Sequence, residues 1–321
     1  MKFVTIGQMS ASIIGLGTWQ IGTNGWGWEV EFGPSDVESI LDAALDSGIN
    51  LIDTAELYGK GESERQLGVH LADGKRDFLV ASKVSPWHLD ETGVYEAAVR
   101  SLDRMRRSYI DLYQVHVPNP FIPVRKTMAG MRRLLLENKV REIGVSNFSM
   151  KRWKQAEVAL GAPIVANQVD YSLLFPSAFN SLQSMLDQTH VIIAYSPLAM
   201  GLLSGKYNGD SKPSGARFTH PAFSRRNYQN VRRVLEVVEK AAKGHSASVS
   251  QISLAWVISH PNVIAIPGAK SVEQVKQNAA AADIQLSISE IADLTEVSDS
   301  YKTALHIPRA FEAFKWLFSR N

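Results

Sequence analysis

The 321-residue chain contains no cysteine. That excludes a disulfide framework, a thiolate nucleophile and any cysteine-ligated zinc or iron–sulfur centre. Long hydrophobic runs are missing too. No stretch approaches the ~18 consecutive apolar residues that a membrane span requires. The apolar run within residues 1–17 is too short, and its flanks too polar, for a signal peptide. Nor is there an excess of charge of either sign: 34 Lys plus Arg against 32 Asp plus Glu leave a net charge of +2. Neither nucleic acid nor an anionic membrane is therefore expected as a partner. Clustered His/Asp metal ligands are also lacking, so no metal site is expected. The expectation is a cytoplasmic chain of enzyme size, with its oligomeric state open, whose core needs no staple. Residues 1–321 fit the length of one α/β barrel domain.

What is present is a rhythm of short apolar runs and amphipathic stretches. The runs are 12–17, 50–53, 78–83, 110–116, 142–146, 164–169, 191–195 and 263–267. Helical patterns lie between or after them, at 35–47, 62–71, 91–107, 124–138, 150–160, 177–188, 227–244, 248–259 and 272–282. Eight buried-type strands alternating with helices predict a parallel sheet closed as a (β/α)8 barrel. A doubly wound open sheet would place a three-glycine phosphate loop after the first strand, and Gly15-Leu16-Gly17-Thr18-Trp19-Gln20 lacks the third glycine. Residues 1–12 read as a β-hairpin plugging the N-terminal end of the barrel, and 301–321 as a helical tail starting near Pro308. The irregular stretch 206–226 has the length of a lid or binding loop.

Side chains at the C-terminal ends of barrel strands converge on one mouth. Asp53, Lys83 and His116 end the second, third and fourth runs, and Tyr58 follows Asp53 by five residues. Singly, each has an ordinary alternative: a helix cap, a solvated strand end, a core histidine, an amphipathic aromatic. Together they can deliver a proton. A phenol of pKa ~10 is a poor acid at neutral pH. A neighbouring ammonium is expected to lower that value, and a carboxylate to keep the ammonium charged.

These residues lie in segments that resemble the aldo-keto reductases. The first is Gly48-Ile49-Asn50-Leu51-Ile52-Asp53-Thr54-Ala55-Glu56-Leu57-Tyr58-Gly59. Ala81-Ser82-Lys83, Tyr109–His116, Gly144–Phe148, Asn167–Tyr171, Ala194–Leu198 and Ile266–Ser271 follow in order, and the likeness covers roughly residues 10–285. The resemblance implies a (β/α)8 oxidoreductase transferring a hydride from NADPH to an aldehyde or ketone. Asp53, Tyr58, Lys83 and His116 match the family tetrad, with Tyr58 as general acid. Ser146, Asn147 and Gln168 match the residues that hold the nicotinamide carboxamide, Tyr195 the ring on which it stacks, and Gly17, Thr18 and Trp19 border it. Ser196, Pro197, Leu198, Gly201, Leu203, Ser204, Gly205 and Lys206 match the loop along the pyrophosphate. Gly268, Lys270, Gln274, Gln277 and Asn278 match the adenosine end, with Lys270 facing the 2′-phosphate. Here the chain departs from many members, which carry Lys-Ser directly after Ile-Pro and Arg where Gln274 stands, so NAD use stays open beside NADP.

The substrate side is expected to be walled by Trp19, Trp26, Trp28, Tyr58, Trp87 and His116, with His88 and Phe121 near by. The alternative is that these aromatics only pack loops together. Two further readings stand beside the reductase. One is another barrel enzyme, a metal-dependent hydrolase or a Schiff-base aldolase using Lys83. The other is a nucleotide-sensing regulatory subunit resembling the potassium-channel β subunits.

Overall fold

The computed structural model describes residues 1–302, apart from 73, 75, 188, 208–214 and 218–220. The chain opens with the antiparallel hairpin β1 (Phe3–Ile6) and β2 (Met9–Ser12). Eight parallel strands follow: β3 (Leu16–Gly17), β4 (Leu51–Asp53), β5 (Leu79–Val84), β6 (Ile110–Val115), β7 (Val140–Ser146), β8 (Ala166–Asp170), β9 (Val191–Tyr195) and β10 (Val263–Ala265). Sequence neighbours are sheet neighbours from β3 to β10. The two outer strands then meet. Gly15 N donates to Ala265 O at 2.8 Å, Ala265 N to Ile13 O at 2.9 Å, and Gly17 N to Pro267 O at 3.1 Å. The sheet closes into a (β/α)8 barrel, which removes its edges. Glycine is needed at the seam, because a Cβ on Gly17 would stand 2.7 Å from the Ile266 carbonyl oxygen.

Helices α1 (Pro34–Asp46), α2 (Glu62–Leu71), α3 (Glu91–Met105), α4 (Val124–Leu136) and α5 (Met150–Leu160) connect successive strands from β3 to β8. After β8 come α6 (Ser177–Asn180), then α7 (Arg225–Gly244) and α8 (Val249–Val257) before β10, with α9 (Val272–Ala280) and α10 (Ile288–Ser300) last. Helix α3 shows why these segments fold so. Asp90 caps its first turn by accepting from Gly93 N at 2.8 Å, and Val94, Ala97, Ala98, Ser101, Leu102 and Met105 form one buried stripe.

Two expectations change. The helix expected over 177–188 stops at Asn180 and resumes as a 3₁₀ turn at Gln183–Met185, while residue 188 lies outside the described residues. Phe179, Leu182 and Met185 are buried at intervals of three, the repeat of a 3₁₀ turn, among serines and an asparagine that favour helix ends. Helix α10 was not expected. It buries only Leu294 and Ser298, too sparse a stripe to read, and its start is set by the Ser287–Glu290 capping box. The tail expected over 301–321 lies outside the described residues from 303 onward. No helix among the described residues is long and apolar enough to cross a membrane.

Inside the barrel, Leu51, Ala81, Leu112, Ala166, Ile193 and Ile264 form an apolar layer, closed at the N-terminal end by Ile6, Met9 and Ala11 of the hairpin. Side chains alternate across a strand, so the interior residue two positions further along each strand belongs to the mouth.

Candidate active site at the barrel mouth

That next layer is polar. It holds Asp53 on β4, Lys83 on β5, Gln114 on β6, Ser146 on β7 and Gln168 on β8, none of them more than 2% exposed. Lys83 Nζ donates to Asp53 Oδ1 at 2.6 Å, to the Thr54 carbonyl at 2.9 Å and to Tyr58 Oη at 3.0 Å, which uses all three ammonium hydrogens. Gln168 Nε2 donates to Asp53 Oδ2 at 2.7 Å. The carboxylate thus has a partner on each oxygen, as a buried charge requires. Thr18 stands behind it, its hydroxyl donating to the Asp53 carbonyl at 2.8 Å. Gly144 leaves room for Gln114, since a Cβ there would lie 2.8 Å from Gln114 Cγ. The Tyr58 and His116 rings meet edge to face at 5.8 Å.

Burial sets the electrostatics. It raises the Tyr58 phenol well above 10.0, and the Asp53 charge adds to the rise. The expected lowering by Lys83 does not prevail, because desolvation of a phenolate outweighs one ammonium already shared with a carboxylate. Tyr58 is therefore protonated at neutral pH. Burial also lowers Lys83, with Asp53 pulling the other way. His116 lies well below 6.5, through burial first and the Lys83 charge second, so it is neutral. Its Nδ1 is buried without a partner among the described residues.

The rim beside this group is made of amides and strained backbone. Asn147, left-handed at φ 61°, donates to Ser146 Oγ at 3.0 Å and to the His116 carbonyl at 3.3 Å, and accepts from Tyr195 Oη at 3.0 Å. After β9, Ser196, Ala199 and Met200 are left-handed without being glycine. Such strain costs of order 1 kcal/mol or more per residue and gathers at ligand sites. Pro197 and Leu203 are buried, Leu198 packs against the core, and Ser204 Oγ turns back to Gly201 O at 2.6 Å. Gly205 and Lys206 are exposed. At the start of α9, Gln274 Oε1 accepts from Lys270 N at 2.8 Å, Asn278 reaches the Gly268 carbonyl at 3.5 Å, and Gln277 pairs with Glu273 at 2.9 Å. Amides at the rim, left-handed backbone and the cations Lys206 and Lys270 fit a phosphate-bearing dinucleotide.

The aromatics divide. Trp19 lies 6.3 Å from the Tyr58 ring and 4.9 Å from Trp26, so these two join the mouth. Trp28 does not: it is buried in the core against Phe32 at 5.2 Å. Trp87 and Phe121 are exposed, and His88 Nδ1 stands 3.1 Å from both Glu56 and Ser85. Sequence reasoning passed over Gln114, although its parity with Leu112 and His116 would have placed it inside. It also passed over Gln20, whose amide bridges the Gly17 and Ala269 carbonyls at 3.0 and 2.8 Å. Arg217, 4.6 Å above the Trp26 ring and donating to the Met200 carbonyl at 2.8 Å, was missed as well. No signal in the sequence marked Gln20 or Arg217, because their partners are remote in the chain.

Residues 13–299 match the Aldo/keto reductase family. An uncharacterized oxidoreductase of Mycobacterium tuberculosis is 42% identical over 298 residues, covering 92% of each chain. An NADH-specific methylglyoxal reductase of Escherichia coli is 31% identical over 329 residues, covering 94% of this chain and 99% of that one. The crystal structure of an aldo-keto reductase from Klebsiella pneumoniae in complex with NADPH superposes with a TM-score of 0.73 at 30% identity, covering 95% of this chain and 99% of that one.

Proposed function

The chain belongs to the aldo/keto reductase family, an NAD(P)H-dependent group of enzymes, and on that premise we propose that it reduces an aldehyde or ketone with NADPH, Tyr58 delivering the proton. The observation that carries this reading is Lys83 Nζ, 2.6 Å from Asp53 and 3.0 Å from Tyr58 Oη. When bound, the reduced nicotinamide supplies the hydride. Tyr58 Oη protonates the substrate oxygen as it gains charge. The Lys83 ammonium stabilises the phenolate left behind, and Asp53 with the Thr54 carbonyl holds the ammonium in place. Neutral His116 hydrogen-bonds and orients the carbonyl oxygen.

Ser146, Asn147 and Gln168 would hold the carboxamide and Tyr195 would face its ring. The loop from Ser196 to Lys206 would follow the pyrophosphate, with Lys270 at the 2′-phosphate and Asn278 at the adenine. Trp19 and Trp26, in edge contact at 4.9 Å beside the Tyr58 ring, would offer an aromatic wall suited to a small or aromatic carbonyl compound, with the exposed Trp87 as a further candidate.

Tyr58→Phe tests the assignment. NADPH oxidation with 4-nitrobenzaldehyde should fall by about 10²–10⁴-fold, the range of general acid catalysis. NADPH binding, followed by tryptophan quenching, should persist. Turnover retained in that variant would remove the phenol from the reaction.

A further inference from the structure

Lys270 Nζ donates to Glu31 Oε2 at 2.6 Å, joining two positions 239 residues apart. Glu31 sits where the first loop reverses: its N donates to Gly27 O at 2.7 Å, Glu29 N donates to Phe32 O at 2.8 Å, and Glu29 is left-handed at φ 58°. The turn is anchored from below by Trp28 and Phe32, both buried and in edge contact. Lys270 Nζ lies 5.8 Å from the Phe32 ring centre, so one loop offers the ammonium both a carboxylate and an aromatic face. From the other side Gln274 fixes the Lys270 backbone at 2.8 Å. The Glu31 side chain is 59% exposed and that of Lys270 19%, so an anion arriving from solvent meets the carboxylate first. Glu31 is held below the usual carboxylate range chiefly by the Lys270 hydrogen bond, with the Arg217 and Lys206 charges adding to it. Lys270, from the loop after β10, thus pairs directly with a carboxylate from the loop after β3, and the Lys206 and Arg217 charges from the loop after β9 act on the same carboxylate.

We propose that Glu31 is a specificity-determining residue for the cofactor: it is the counter-ion of Lys270 in the free protein and disfavours nucleotides bearing a 2′-phosphate. The inference rests on the reading of Lys270 as the 2′-phosphate contact. To reach Lys270, a 2′-phosphate must break the ion pair and come to rest beside a second anion, and like charges held close oppose binding. A 2′-hydroxyl does neither: it carries no charge and leaves the pair intact. The pair is partly exposed, so the effect is modest and salt-dependent.

The test is titration of the full-length protein with NADPH, NADH, 2′,5′-ADP and 5′-ADP at low ionic strength, followed by tryptophan quenching and calorimetry. Wild type, Glu31→Gln, Lys270→Met and the double variant are compared. Glu31→Gln should tighten NADPH and 2′,5′-ADP by about fivefold, the scale of a partly exposed ion pair, and leave NADH and 5′-ADP unchanged. The gain should vanish in the Lys270→Met background. An unchanged NADPH/NADH affinity ratio in Glu31→Gln, with that ratio lowered in Lys270→Met, overturns the role of Glu31 and leaves Lys270 at the phosphate. A ratio unchanged in Lys270→Met overturns both. Equal shifts for NADPH and NADH in Glu31→Gln mean that Glu31 only shapes its loop, which also overturns the proposal.

Discussion

Leu51 and Asp53 lie two residues apart on one strand and face the same interior. Ala81 and Lys83 repeat the relation on β5, Leu112 and Gln114 on β6, Ala166 and Gln168 on β8. One step towards the N-terminal end, the interior is aliphatic and stoppered by Ile6, Met9 and Ala11. One step towards the mouth, it is a fully buried ion pair with its hydrogen bonds satisfied. The same backbone carries both layers, so the difference is made by side chains alone. The aliphatic layer stabilises the barrel by removing apolar area from water. The polar layer contributes less to stability, because desolvating two charges offsets much of their attraction. On the proposed function, what it supplies is a set of groups held in place by burial and hydrogen bonds, as proton transfer needs.

Substitutions in the two layers should separate these roles. The largest effect is expected from Lys83→Met, which leaves Asp53 buried without its counter-ion. Carbonyl reduction should fall about 10²–10⁴-fold, and unfolding free energy by about 3–5 kcal/mol, read from turnover and from chemical denaturation. Leu112→Ala, in the layer below, should cost about 2–5 kcal/mol through its cavity while the kcat of the folded protein holds. If that variant loses turnover as severely as Lys83→Met, the division between layers is wrong. The smallest effect concerns pH. Tyr58 is raised above 10.0 and so stays protonated through the neutral range, while His116, lowered below 6.5, stays neutral there. The reduction rate kcat should therefore be flat between pH 6.5 and 9. A fall in kcat centred near pH 8 would show that the Tyr58 phenol or the Lys83 ammonium, itself lowered by burial, loses its proton in that range.

The fold was legible because its signals are local. Each strand of the barrel overlaps an apolar run, and α2 and α5 begin and end where the helical pattern does. The pattern failed where burial is sparse, at α10, or set to a repeat of three, after α6. In the candidate site, Asp53, Lys83 and His116 were read as strand-end residues and Tyr58 as lying five residues beyond Asp53 at the same mouth, while their individual roles came from the family resemblance. Trp28 was misplaced because a tryptophan in a loop reads the same whether it faces a mouth or, as here, packs on Phe32.

The sequence by itself determined the alternation of strand and helix, the order of the strands and the chemical types gathered at their ends, since these follow from periodicity and spacing. Only the tertiary structure decided that Lys83 divides its ammonium among Asp53, Thr54 and Tyr58, that burial moves the phenol up rather than down, and that Glu31 holds Lys270. The reason is physical: desolvation and ion pairing depend on distances between groups far apart in the chain, and those distances exist only once the barrel has closed.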